Sequence, residues 1–143
     1  MTVNCVRPLS ILTLTALLWS HAAGAASTVT IGGKSVELPD DVAEEHQKLI
    51  DNIGIYDDPE LDAYVRQVGE RLLRDSDITK PNFSFTLLDS PDINAFALPG
   101  GLIYVNRGLL AYLDTEAELA GVLAHEIGHI TERHHSRRKT ASL

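Results

Sequence analysis

The chain has 143 residues, 44% of them hydrophobic and 22% charged, with 12 Lys and Arg against 20 Asp and Glu and a formal net charge of −8. That length suits one domain, the mixture excludes a disordered or fibrous chain, and the acidic balance argues against nucleic acid as a partner.

Residues 1–25 stand apart from the rest. Arg7 is followed by an apolar run from Leu9 to Trp19 and then by the small residues around Ala23-Gly24-Ala25. This order is that of a secretory signal peptide with an A-x-A-like cleavage site, which predicts export, and residues 26–143 as the mature domain. The run is about half the ~20 residues of a spanning helix, so no membrane association is indicated beyond this segment. The only cysteine, Cys5, lies within it, and a mature chain without thiols is compatible with an oxidising compartment. Cleavage also removes Arg7, leaving eleven bases against twenty acids, about −9. Glu37 to Asp62 holds ten acids and one Lys, Lys48, whereas Arg133, Arg137, Arg138 and Lys139 cluster at the end; both read as solvated surface, the second as a frayed tail.

Thr28–Ile31 and Lys34–Leu38 flank Gly32-Gly33, a hairpin signal because both turn positions can take positive φ. Pro39-Asp40-Asp41 opens a helix to about Ile50, with acids where the helix dipole favours them. A second helix starts with Asp58 as cap and Pro59 at its first position. It carries Leu61, Tyr64, Val65, Val68 and Leu72 at helical spacing and ends near Asp75. Phe83–Leu87 alternates as a half-buried strand does; Ile93–Leu98 resumes after a turn-rich stretch, and Leu102–Val105 is a further strand beyond Pro99-Gly100-Gly101. Gly108–Leu113 makes one or two helical turns. Thr115-Glu-Ala-Glu118 is a capping box that starts a helix running through at least His129.

That last helix carries the chemistry. Leu119, Ala120, Val122, Leu123, Ala124, Ile127 and Ile130 make it apolar around most of its circumference, which predicts a buried helix. His125-Glu-Ile-Gly-His129 places two histidines at i and i+4, with Cβ atoms roughly 5–6 Å apart, so that both imidazoles can hold one metal ion. Glu126, turned by about 100° from His125, is placed to reach a metal-bound water and take its proton during attack on a peptide carbonyl. Gly128 weakens a helix by about 1 kcal/mol relative to Ala, which predicts a close neighbour there, a strand or the substrate. The bland alternative is two core histidines bonded to carbonyls; taken alone, the motif leaves several zinc hydrolase families open.

A third ligand inside the chain would have to be His135, six residues after His129 as in metzincins. That arrangement needs a turning glycine where Glu132 stands; on a continuous helix His135 lies roughly 15 Å along the axis from His125. His134 and His135 are therefore set aside as ligands.

Several stretches, in this order and with these gaps, closely resemble the HtpX/BepA-like zinc metallopeptidases, which include the CAAX prenyl endopeptidases. They are Asn94-Ala-Phe-Ala-Leu-Pro-Gly-Gly101, Ile103-Tyr-Val105, Arg107-Gly-Leu-Leu110, Glu118 through His129, and Arg133-His134. The resemblance runs from about Asp57 to His134, with Asp58-Pro59 and Tyr64-Val65 matching an early helix; the Gly-Gly hairpin is outside it. An exported chain looks most like the periplasmic, BepA-like branch.

The resemblance implies an α+β, zincin-like (gluzincin) fold with one Zn2+ per domain, His125 and His129 as ligands and Glu126 as catalytic base. The family's third ligand is a glutamate on a later helix, with no counterpart up to Leu143, so the resemblance implies a domain incomplete at its C terminus and poorly active as it stands. It also implies substrate binding as an added strand along a sheet edge near Ile103, Tyr104 and Val105, with Asn94 lining the cleft or shaping a turn. A strand that only builds the core is the alternative.

The function expected is a zinc metalloendopeptidase acting on exported polypeptides, of the envelope protein quality control type. One competing reading is a non-catalytic exported polypeptide-binding or chaperone-like module; another is an incomplete product with no function of its own.

Overall fold

The computed structural model describes residues 26–78 and 82–140, with side chains described through residue 132. Residues 1–25, on which the expected signal peptide falls, therefore lie outside the described residues, as do the side chains of the basic tail. Ala26–Ile31 (β1) and Lys34–Pro39 (β2) pair antiparallel, Val29 opposite Val36 and Ile31 opposite Lys34. Gly32 and Gly33 form the turn at φ 55° and 77°, a left-handed pair that follows the twist of the strands. Asp40–Ile53 (α1) follows without a side-chain cap and ends at Gly54, whose φ is 88°. Pro59–Arg74 (α2) starts as the sequence predicts: the Asp58 carboxylate accepts from the Leu61 amide at 3.0 Å, and Pro59 occupies a position where a missing N–H is harmless.

Three strands make the central sheet: Ser84–Leu88 (β3), Ala95–Leu98 (β4) and Leu102–Asn106 (β5). Their order is β3-β5-β4, with β3 parallel and β4 antiparallel to β5. Arg107–Tyr112 (α3) leads from β5 towards Glu116–Thr140 (α4).

The sheet has a layer on each face. Phe85, Leu87, Ile103 and Val105 point towards α2 and α4, where they meet Val65, Val68, Leu123, Ile127 and Ile130. Leu88, Leu102 and Tyr104 point the other way, to Ile31, Leu38 and Val42 of the hairpin and α1. Each fully buried aliphatic or aromatic side chain contributes about 1.5–3 kcal/mol by leaving water. The second layer corrects the half-buried reading of β3: Ser84 and Thr86, the polar members of its alternation, are each 5% exposed because the hairpin lies over them.

The sheet margins differ. Beside β3, Ile55 forms an antiparallel bridge with Leu88, supported by Tyr56 N–H to the Leu87 carbonyl at 3.0 Å and Asp89 N–H to the Gly54 carbonyl at 3.1 Å. Among the described residues, no strand pairs with the outer side of β4. No helix of the described residues is long and apolar enough to cross a membrane.

Candidate metal and peptidase site

The capping box forms as its four letters suggest. Glu118 accepts from the amides of Asp114 at 2.8 Å and Thr115 at 3.0 Å, while the Thr115 hydroxyl accepts from the Glu118 amide at 3.3 Å. These backbone donors, ahead of the Thr115 hydroxyl, hold the Glu118 carboxyl below its ordinary range. The cap satisfies amides that a helix start leaves without partners. Arg71 ties the same end to α2 through Glu116 at 2.7 Å.

From this start α4 buries one stripe, Leu119, Leu123, Ile127 and Ile130, all at 4% exposure or less. The opposite stripe is open: Gly121, Ala124, His125 and His129 are exposed. The expectation of a buried helix is corrected accordingly. The apolar residues that would have closed its circumference include Ala124, which is too small to demand cover. A strand as the close neighbour of Gly128 is corrected with it, since a Cβ placed there meets nothing within 4 Å among the described residues.

On the open stripe the His125 and His129 Nε2 atoms lie 3.0 Å apart, their rings nearly perpendicular at 78° with centroids 4.4 Å apart. Two nitrogens bound at ~2.0–2.1 Å to one tetrahedral ion stand roughly 3.3–3.4 Å apart, so the pair fits two adjacent corners of a zinc site. Glu126 is half-buried, one residue round the helix from His125. The described residues include no group of three His, Cys, Asp or Glu that could hold a metal ion. The helix continues unbroken to Thr140, which carries the backbone at His135 along the axis and away from the pair, against the metzincin turn.

The strand residues are arranged differently from expectation. Ile103, Tyr104 and Val105 lie on β5, the middle strand, at 0%, 1% and 0% exposure, with main-chain partners on both sides. They cannot offer an open edge, which corrects the expected edge there; among the described residues β4 has an unpaired side. Tyr104 moreover faces away from α4, stacking on Phe96 with centroids 5.2 Å apart and meeting His46. α4 packs beneath β4, on the side to which Ala95 and Ala97 turn; small side chains there let helix and edge strand approach closely.

Asn94, exposed, adjoins this edge: its carbonyl accepts from the Asn106 amide at 3.0 Å and its own amide donates to the Asp92 carbonyl at 3.1 Å. The turn-shaping half of its expected role is thus a backbone one. Gly108 also positions the edge and was not singled out in the sequence. Its amide donates to the Ser90 carbonyl at 3.0 Å, and a Cβ at this position would overlap the Pro91 carbonyl. The only local signal was a glycine immediately inside a short apolar helix.

Residues 59–143 match the model of peptidase family M48. The chain is 36% identical over 113 residues to the beta-barrel assembly-enhancing protease of Escherichia coli K12, covering 79% of this chain and 22% of that one. It is 44% identical over 80 residues to the protein of the same name from Yersinia pestis, covering 56% and 16%. It is also 42% identical over 57 residues to the mitochondrial metalloendopeptidase OMA1 of Arabidopsis thaliana, covering 40% and 12%. The chain therefore spans less than a quarter of the length of these relatives. The BepA-like resemblance holds, and the matched segment contains both the converging histidines and the edge strand above them: the chain belongs to peptidase family M48.

Proposed function

We propose that this chain carries the metal-binding and proton-transfer part of a zinc-dependent metalloendopeptidase of zincin-like fold. The observation that carries the reading is the pair of Nε2 atoms 3.0 Å apart on the open face of a capped helix whose opposite stripe is buried. His125 and His129 would hold the ion, which when bound supplies Lewis acidity towards water and a peptide carbonyl. Glu126 takes the proton of the attacking water on its carboxylate and returns it to the leaving amine. The open side of β4, with Asn94 at its start, aligns an extended polypeptide by main-chain hydrogen bonds, which recognise chain conformation more than sequence. With the signal-like segment at residues 1–25, the substrates are exported polypeptides and the compartment the periplasm. Membership of family M48 and the protease names of the relatives support peptide hydrolysis, in the manner of envelope protein quality control.

Two imidazoles make half of a four-coordinate site, and the described residues supply no third ligand beside them. The test is zinc affinity by competition with a chromogenic chelator, paired with casein cleavage in a longer form of the protein. Zinc binding should fall at least tenfold in His125→Ala and His129→Ala and persist in Glu126→Gln, which should lose cleavage. Zinc affinity indifferent to both histidine substitutions would sink the proposal, as would cleavage that survives Glu126→Gln. The unpaired side of β4 also favours a second reading, polypeptide holding without cleavage. Peptide binding that persists after zinc removal, with no cleavage in the longer form, would select it.

A further inference from the structure

Beside β3, at the sheet margin away from β4, there is a cleft of about 480 Å³, between the hairpin tip, α1 and the start of α2. That volume lies within the range of small-ligand and side-chain pockets, roughly 300–1,000 Å³. Ile55 and Pro59 give it apolar lining, Asp57 and Asp62 supply carboxylates, and His46 is at its floor.

His46 is 6% exposed and its Nδ1 lies 2.6 Å from the hydroxyl of Tyr104, itself 1% exposed. That imidazole nitrogen is the only hydrogen-bond partner of the phenol among the described residues, and a buried O–H needs an acceptor. The phenol therefore donates to Nδ1, which leaves the ring proton on Nε2. Burial favours this neutral ring by pushing the His46 pKa down. Nε2–H has no protein partner among the described residues, so a ring that is itself nine-tenths buried leaves one donor to the open cleft it lines.

The charge at the rim narrows the ligand. Asp62 is answered by Arg66 at 3.2 Å, and Asp58 is engaged as the α2 cap. Asp57 has no ion pair among the described residues. An anionic ligand would meet three carboxylates here. A ligand carrying both a carbonyl and a cation would answer the unpaired donor and the unpaired acid together. The flanking sequence, ten acids and one Lys between Glu37 and Asp62, extends that preference over the surrounding surface.

We propose that this cleft is a second polypeptide-binding site, taking an extended basic segment whose backbone carbonyl accepts from His46 Nε2–H while a Lys or Arg side chain pairs with Asp57. It stands on different residues from the proposed peptidase site and does not require that site to hold metal. A basic stretch bound here would tether a polypeptide to the domain at the β3 margin of the sheet, away from β4.

The test is NMR titration of the isotope-labelled 143-residue protein with acetyl-Leu-Lys-Leu-amide, reading the imidazole signals of His46, His125 and His129. Matched peptides with norleucine or glutamate in place of lysine are the controls. The lysine peptide should shift His46 saturably and leave the other two unmoved, with or without chelator. The norleucine peptide should bind about threefold more weakly, the weight of one partly exposed charge pair, and the glutamate peptide more weakly still. Asp57→Asn, an exposed substitution with little risk to folding, should bring the lysine peptide to the norleucine affinity. His46→Gln, checked by circular dichroism, should weaken all three peptides; should it fail to fold, Asp57→Asn still decides. No saturable shift, equal affinity for the glutamate peptide, unchanged binding in Asp57→Asn, or binding abolished by His125→Ala would each overturn the proposal.

Discussion

Replacing Gly128 with alanine adds a methyl group to the open face of α4, where a Cβ meets nothing within 4 Å. Alanine is favoured over glycine inside a helix by about 1 kcal/mol, and here no steric cost opposes it. Unfolding should therefore require about 1 kcal/mol more, raising Tm by roughly 4 °C for a domain of this size. Gly69 of α2 offers the same propensity gain with the opposite outcome. A Cβ there would overlap the ring of Phe85, which is 2% exposed and pressed between α2 and the sheet. Overpacking of this kind costs about 1–3 kcal/mol, so Gly69→Ala should be destabilising by up to about 2 kcal/mol after the helix gain. Thermal and urea unfolding followed by far-ultraviolet circular dichroism measures both, and zinc affinity should be unchanged in Gly128→Ala. A destabilised Gly128→Ala would mean that something covers the histidine face. A stabilised Gly69→Ala would mean that the ring of Phe85 does not sit against α2.

Gly108→Ala should cost about 1–3 kcal/mol, because the methyl meets the Pro91 carbonyl, a backbone atom that moves only with its loop. Faster hydrogen exchange in β4 should accompany the loss; unchanged exchange would remove Gly108 from the positioning of the edge. Thr115→Ala should cost about 1 kcal/mol by deleting half of the capping box, and an unfolding curve identical to wild type would refute the cap. Glu118, whose carboxyl is held below its ordinary value of 4.5, should stabilise the fold above that pH and cease to do so as the pH falls through its lowered folded value; Glu118→Gln should remove this dependence. His46 titrates with the other sign of charge. Burial lowers its folded pKa from 6.5, so the unfolded chain takes the proton first and stability falls as the pH drops below 6.5, levelling off beneath the folded value. The slope reaches at most about 1.4 kcal/mol per pH unit, and His46→Gln should flatten it in urea melts from pH 7 to pH 5.

Local patterns carried the elements and the metal pair a long way. Gly32-Gly33, Asp58-Pro59 and Thr115–Glu118 act through bonds within a few residues of themselves, so the hairpin, the start of α2 and the start of α4 could be read in the sequence. His125 and His129 are neighbours for the same reason: helical rise and twist alone bring i and i+4 together. Sheet order is not local. Nothing in Leu102–Asn106 says that β4 and β3 will both pair with it, so the middle strand reads as an edge in the sequence, and nothing there says that Tyr104 turns away from α4. Burial is not local either. Hydropathy describes what a side chain tolerates, whereas its cover depends on which elements pack against it, so α4 was read as enclosed although its histidine face is open, and β3 as half-buried although the hairpin lies over its polar side. The sequence by itself determined that two imidazoles and the Glu126 carboxylate lie within about one turn of one helix, because that closeness resides in the residues and their helical spacing. Only the tertiary structure decided which strand offers its edge and where His46 lies, because both depend on pairings between segments far apart in the chain.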